Sequence, residues 1–405
     1  MDLEALLSAD ARVMRSSLIR QLTGLVNQPD VISFAAGSPS AQTYPYEQLT
    51  ALYQELVARE QGRLFQYSVT RGAPELIEAV RERSRRVQGI EASAEETILV
   101  SGSQQGLDFV GRVLLDPGDA VFVELPNFIG ATSAFENFRA RVFGVRHDED
   151  GMDLEDLRRK IADARAAGNR PKFIYVIPNF QNPSGATWSA ERREGLLELA
   201  REEGVLIFED DAYGELYFSG VDPAELRSIK SRDTGDQVLY MGTFSKILAA
   251  GLRVAWIHGP SEIVRRIELA KETGDLCTST LSQKLILGYL RHGWLDAHLD
   301  QVREFYERKA QHMQTALGNH FTPLARWNRP RGGLFLWVDL LQPIDALPLL
   351  HKAVEQEKVA FIPGQPFFVD GSGASSLRLS YSNVTDENIE IGLHKLSRLI
   401  AAAAG

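Results

Sequence analysis

The chain has 405 residues, 44% of them hydrophobic and 24% charged, with a formal net charge of −10. That composition excludes a mainly disordered chain and gives enough length for two or three compact units; the acidic balance argues against a nucleic-acid binder, whose footprint would be basic. A single cysteine, Cys277, excludes an internal disulfide and a thiolate metal cluster and fits a reducing compartment.

No apolar run reaches 18 residues, and Asp2, Glu4 and Asp10 stand where a signal or transit peptide would be basic, so the expectation is a cytoplasmic protein with no membrane part. Residues 10–27 read as an amphipathic helix, followed by a strand, Val31 to Ala36, that ends in the turn-rich Gly37-Ser38-Pro39-Ser40. The densest basic run, Arg81 to Arg86, is interrupted by Glu82 and reads as a solvated helix face rather than a phosphate track. From about residue 74 to 260, helical stretches such as 103–115, 154–168 and 189–204 alternate with apolar runs: Thr97–Val100, Ala120–Leu125, Lys172–Pro178, Val205–Asp210, Val238–Met241 and Arg253–His258. Continuous apolar runs between helices are what strands buried on both faces of a mostly parallel sheet look like. Two long helical patterns follow, about 261–290 and 294–318. Strands at Leu334–Asp339, Val359–Ile362 and Leu377–Tyr381 and a terminal helix over 385–403 complete the chain. The reading is an α/β fold with a large domain over 46–294 and a smaller α+β domain built from 1–45 and 295–405.

Several strand ends carry chemistry. Thr243-Phe244-Ser245-Lys246 follows a buried strand, and Arg253 comes seven residues after the lysine. A lysine there could simply point to water; with an arginine and two hydroxyls beside it, it could also be an imine-forming amine next to a phosphate site. Ser101-Gly102-Ser103-Gln104-Gln105-Gly106 lies between a strand and a helix, an ordinary tight turn or an anion cradle. Val205 to Tyr213 ends an apolar strand in carboxylates, Asp210 among them; these either cap the next helix or face a ligand beyond the carboxyl ends of the strands. A carboxylate in that position can hold a protonated pyridine nitrogen. Asn182, before Pro183, is biased away from helix and either shapes a turn or donates to a phenolate oxygen.

Taken together the chain resembles the fold-type-I pyridoxal-phosphate enzymes of the class I/II aminotransferase family. The motifs that carry the resemblance are Phe34-Ala35-Ala36-Gly37, Gln66-Tyr67, Gly102-Ser103-Gln104-Gln105, Pro126-Asn127-Phe128, Asn182-Pro183-Ser184-Gly185, Asp210-Asp211-Ala212-Tyr213, Ser245-Lys246 with Arg253, and Leu377-Arg378-Leu379-Ser380, in family order along nearly the whole chain. The resemblance implies a large, seven-stranded-type mixed sheet sandwiched by helices, with pyridoxal 5'-phosphate as cofactor. It makes Lys246 the Schiff-base lysine and proton carrier, Asp210 the partner of the pyridine nitrogen, and Tyr213 and Asn182 the partners of the ring oxygen. Phe128 would stack on the ring. Ser103, Gln104, Thr243, Ser245 and Arg253 would surround the phosphate, with Tyr67 reaching the phosphate of a second subunit in a homodimer. Arg378 would clamp the substrate carboxylate, with Gly37 and Asn182 beside it. Two departures stand out: Asn127-Phe128 where a threonine-tyrosine pair is frequent, and Gln104-Gln105 where others carry small residues.

Ser16-Ser17-Leu18-Ile19-Arg20 resembles the 2-aminoadipate and kynurenine aminotransferase branch, which implies that Arg20 meets a substrate's distal carboxylate. The expected reaction moves an amino group between an L-amino acid and a 2-oxo acid. The pairs in view are glutamate with 2-oxoglutarate, and 2-aminoadipate, an aromatic or an aliphatic amino acid with its oxo acid. A lyase, synthase or decarboxylase on the same fold is the alternative, and a ligand-sensing regulator a remoter one. No Walker loop, dinucleotide fingerprint, His-Glu-x-x-His or Gly-x-Ser-x-Gly competes, and none of the eight histidines shows metal spacing.

Overall fold

The structure is a computed structural model and describes residues 1, 3–14, 22, 24–26 and 28–404. Its centre is an eight-stranded sheet. In chain order the strands of the protein are β1 (Ile32–Ser33), β2 (Thr97–Val100), β3 (Ala120–Leu125), β4 (Arg141–Asp148), β5 (Gly151–Met152), β6 (Pro171–Val176), β7 (Leu206–Asp211), β8 (Val238–Thr243), β9 (Ala255–His258), β10 (Ala325–Trp327), β11 (Phe335–Leu340), β12 (Val359–Ala360), β13 (Ile362–Pro363) and β14 (Ser376–Ser380). The large sheet runs β2-β9-β8-β7-β6-β3-β4-β5. Pairings from β4 through β3, β6, β7 and β8 are parallel, while β9 is antiparallel to both β8 and β2. Because β9 reverses the direction twice, β2 again runs with β8, and the carboxyl ends of β2, β3, β6, β7 and β8 share one edge of the sheet.

Strands β2 and β3 coincide with the apolar runs read from the sequence. Both are buried along nearly their whole length, and burial on two faces keeps the runs mainly apolar; the carboxylate of β3, Glu124, is buried and accepts from the Ile177 N–H and the Trp188 indole. The two-residue β5 extends the expected seven-stranded-type sheet to eight strands.

The second sheet, β10-β11-β14-β13, is antiparallel. A third pairing joins the chain's two ends: β1 lies parallel to β12, Ile32 beside Val359. The expected single strand Val359–Ile362 is thus two pieces serving different sheets. Phe361 between them is wholly buried, so the apolar pattern ran unbroken while the backbone changed partners.

Three other expectations are corrected. The helix expected over 10–27 is not continuous: Ala9–Val13 is helical and Met14 is extended (φ −61°, ψ 127°). Residues 22 and 24–26 are helical again, with Leu22 and Val26 buried, and Arg20 lies outside the described residues. The pattern over 261–290 is two helices, Ser261–Gly274 and Thr280–Arg291, because Leu276 takes a left-handed φ of 64° and Asp275 is drawn aside by side-chain bonds described below. Finally, Arg83 does not sit on a solvated face. It is buried and paired with Glu215 and Asp296, a geometry in which loss of one partner strands the other charge.

The segment before the helix Pro74–Gln88 passes close to the sheet. Gly72 has a φ of +116°, and a Cβ there would approach Leu99 of β2 to 2.5 Å. Overpacking and the left-handed backbone together set the cost of Gly72→Ala at about 2–4 kcal/mol. Urea unfolding is expected to show that loss with an unchanged m-value; a stability equal to wild type would contradict the packing described.

Candidate active site

At the carboxyl edge of the large sheet, where it faces β14, a cavity of about 380 Å³ is lined by residues from both sheets and the amino-terminal segment, including Gly37, Ser103, Phe128, Asp210, Lys246 and Arg378. The side chains around it are placed by strand alternation. On β7, Glu209 and Asp211 turn to one face and Asp210 to the other. Glu209 accepts from Ser228 and from the backbone N–H groups of Ile229 and Lys230, whereas Asp211 accepts from Asn179, Gly214 and Tyr240. Burial and the Glu209 charge hold the Asp211 carboxyl up at about 7. These two carboxylates anchor the strand, and Asp210 alone is left for the cavity.

Asp210 is 4% exposed. One carboxylate oxygen, Oδ2, accepts a hydrogen bond from the Tyr175 hydroxyl at 2.7 Å, while Oδ1 is buried without a partner. Tyr175 sits on the neighbouring β6, its ring held edge-on between Phe135 and Phe208 at 5.6 Å from each. Burial raises the Asp210 pKa to about 6, against the lowering effects of the Tyr175 bond and the Lys246 charge. Burial also keeps the Tyr175 phenol far above its usual value, so it remains a donor.

Lys246 follows β8. Its Nζ donates to the Gly37 carbonyl at 2.8 Å and lies 5.9 Å from the centroid of the Tyr213 ring. Burial first, then the Arg378 and Arg253 charges, bring its pKa down to about 8, with Asp210 pulling the other way. Tyr213 is buried, hydrogen-bonded with Asn182, and its phenol is pushed up by burial.

Arg378 occupies the middle of β14, paired with Trp337 on one side and Ile362 on the other. Its guanidinium donates to Asn182 Oδ1 at 3.1 Å and to the Ala35 carbonyl at 2.8 Å and lies over the rings of Phe335 and Phe367. Its Nε is buried without a partner, and burial lowers its pKa to about 10.

The remaining residues form a polar corner. Thr243 and Ser245 hydroxyls bond each other at 3.0 Å. Arg253 has a left-handed φ of 52°, uncommon for a residue with a side chain, and its Nη1 donates to Ser245 Oγ at 3.2 Å. The guanidinium lies directly over Gly102, where any Cβ would collide with it. Ser103 opens the helix Ser103–Leu114, whose first N–H groups have no acceptor within the helix. Gln104 lines the cavity too, but its amide donates to the Gly130 carbonyl at 3.1 Å.

The structure therefore brings together Ser103, Gln104, Phe128, Asn182, Asp210, Tyr213, Thr243, Ser245, Lys246, Arg253, Arg378 and Gly37. Tyr67 is 77% exposed and is not among the lining residues. Tyr175 escaped sequence reading; the available signal was a tyrosine inside an otherwise apolar strand, which needs a polar partner when buried. Ile177, which adds apolar wall to the cavity, carried no signal.

This donor set fits pyridoxal phosphate: a bare buried carboxylate oxygen for a ring N–H, hydroxyls with an arginine and a helix start for a phosphate, an amine for an aldehyde, and Phe128 beside apolar wall for a ring. Fold and site together define the fold-type-I pyridoxal-phosphate enzymes.

Residues 29–396 match the sequence profile described as aminotransferase class I and II, and the chain belongs to that family. It is 38% identical over 400 residues to the aromatic-amino-acid aminotransferase 1 of Thermococcus litoralis, covering 99% of this chain and 95% of that one. To the 2-aminoadipate transaminase of Thermus thermophilus it is 37% identical over 388 residues, covering 96% and 94%. The crystal structure of an alpha-aminoadipate aminotransferase from Thermus thermophilus, complexed with N-(5'-phosphopyridoxyl)-L-leucine, superposes with a TM-score of 0.89 at 36% identity, over 100% of this chain and 99% of that one. The protein is a pyridoxal-phosphate-dependent transaminase.

The Asp210 environment makes a pH-dependent prediction. Burial raises its folded-state pKa from 3.8 to about 6, so its contribution to stability is fully present below about pH 4 and is lost as pH rises through about 6. Asp210→Asn removes that penalty. In the cofactor-free protein the variant should be more stable than wild type at about pH 7.5, by about 3 kcal/mol at most, and the gain should vanish by about pH 4. An equal difference at both pH values in urea unfolding would refute the assignment.

Proposed function

We propose that the chain transfers an amino group between glutamate, with 2-oxoglutarate as its oxo acid, and 2-aminoadipate or an aromatic or aliphatic amino acid. One observation carries this reading: a single cavity holds a lysine amine of lowered pKa, a buried carboxylate with one bare oxygen, and a buried arginine whose partners among the described residues are an amide and a carbonyl rather than a carboxylate.

Bound pyridoxal phosphate supplies an electron sink for the pair left when the substrate's α-carbon loses its proton. Lys246 is the amine that holds the cofactor; once released, it takes the proton from the α-carbon and delivers it to the former aldehyde carbon. A pKa near 8 suits an amine that must both accept and donate close to neutrality. Asp210 keeps the ring nitrogen protonated, and Tyr213 and Asn182 bind the ring oxygen. Ser103, Gln104, Thr243, Ser245 and Arg253 hold the phosphate, and Phe128 lies against the ring. Arg378 grips the substrate's α-carboxylate by two parallel bonds, beside Gly37.

Arg20 is assigned to the distal carboxylate of acidic substrates. The names of the relatives, one for aromatic amino acids and one for 2-aminoadipate, support a site that admits both kinds. Arg20→Ala should lower kcat/KM for dicarboxylic amino acids and spare neutral ones, and equal losses would remove the assignment.

Tyr67, with exposed Phe65 and Val69, is assigned to a homodimer interface, where it would reach the second subunit's phosphate. The single cysteine favours a cytoplasmic setting, and no helix among the described residues is long and apolar enough to cross a membrane. Domain limits at 45/46 and 294/295 are likewise our reading, the second falling beside Gly293, which opens the helix Trp294–His320.

Borohydride reduction followed by peptide mapping tests the core of this scheme. The expected outcome is label on the Lys246 peptide alone, an amino acid converting the bound cofactor to its amine form, and 2-oxoglutarate restoring it. Label on another lysine, or release of ammonia in place of that cycle, would overturn it. Arg378→Lys, which cannot form a two-bond clamp, should lose about 10²-fold in kcat/KM.

A further inference from the structure

The turn Ser101–Gln104 is held from behind by groups that do not line the cavity. Gln105 stands at the third position of the helix Ser103–Leu114 and reaches back, its side-chain carbonyl accepting the Ser101 N–H at 2.7 Å. This resembles the reciprocal bond of a helix capping box, displaced by one residue. Its amide donates to Asp275 Oδ2 at 2.8 Å, and the same oxygen accepts the Ser101 hydroxyl at 2.7 Å. Asp275 is held in turn by Lys271, whose Nζ lies 2.7 and 2.9 Å from the two carboxylate oxygens and 3.4 Å from Gln105 Oε1. The Lys271 side chain is fully buried, while that of Asp275 is 25% exposed. These bonds converge on the backbone and side chain of Ser101, the first residue of the turn. The same Asp275 opens the break between the helices Ser261–Gly274 and Thr280–Arg291.

We propose that Gln105, Asp275 and Lys271 are positioning residues for the cofactor phosphate. They fix the Ser101–Gln104 turn in the shape that brings Gly102 under the Arg253 guanidinium and opens the helix at Ser103, without touching the anion themselves. The larger Gln105, a departure from the small residues frequent in the family, is the part that makes the link. This inference rests on the assignment of Ser103 and Arg253 to the phosphate.

Equilibrium dialysis of the wild type, Gln105→Leu, Asp275→Asn and Arg253→Ala against pyridoxal phosphate, and separately against pyridoxal lacking the phosphate, tests it. Gln105→Leu should weaken pyridoxal phosphate binding about tenfold or more and leave pyridoxal binding unchanged. Asp275→Asn, which keeps the shape but drops the charge, should lose less in the same direction. Equal losses for both ligands would mean a merely structural role, and no loss would mean that the turn holds its shape alone; either result overturns the proposal. Arg253→Ala separates the two layers of inference. If it fails to reduce the preference for the phosphorylated ligand, the phosphate site itself is misassigned; if it does reduce it while Gln105→Leu does not, only the positioning role falls.

Discussion

A carboxylate taken out of water is costly unless something cationic or donating meets it, and the whole site is arranged around one such group. Asp210 spends one oxygen on Tyr175, whose ring Phe135 and Phe208 hold in place, and presents the other to the cavity. That division explains why Asp210 must lie on the central β7. Only there can β6 supply the phenol on one side while β8 delivers Lys246 on the other. Glu209 and Asp211, satisfied on the opposite face, keep the strand from turning. In the function proposed above, a protonated ring nitrogen is the partner of that bare oxygen, and its binding would convert a destabilising group into a binding one.

The same constraint shapes the contact between the two sheets. Lys246 bonds Gly37, 209 residues away in sequence, and Arg378 bonds both Asn182 and Ala35. Asn127, beside the cavity-lining Phe128, donates through backbone and side chain to the Phe367 carbonyl, and Phe367 in turn lies under Arg378. Asn127 of the Asn127-Phe128 pair thus ties the cavity wall at Phe128 to the Phe367 ring beside Arg378. The cavity-lining side chains come from segments far apart in the chain and are fixed by a handful of direct bonds.

Most of the large sheet and nearly all of the cavity were legible in the sequence, and the reasons are physical. Strands buried on two faces, such as β2 and β3, print as mainly apolar runs, and the turns that follow them carry the cavity residues Ser103 and Phe128. β4 has one fully buried position, Val145, among exposed and half-buried ones and gave no such run. Apolar periodicity also passed through three backbone changes without registering them: at Met14, at Asp275 and at Phe361. Tyr175 and Gln105 were invisible as functional groups because their partners lie 35 and 170 residues away, and only the fold reveals that a buried phenol or amide has something to bond. Arg83 misled for the converse reason, since its counter-charges Glu215 and Asp296 are equally remote.

In the proposed function Asp210 keeps a bound pyridine ring protonated. Nitrogen-15 NMR of the protein loaded with ring-labelled pyridoxal phosphate reads that proton directly. A pyridinium shift is expected in wild type across neutral pH and a neutral-pyridine shift in Asp210→Ala; a neutral ring in the wild type would contradict that role for Asp210.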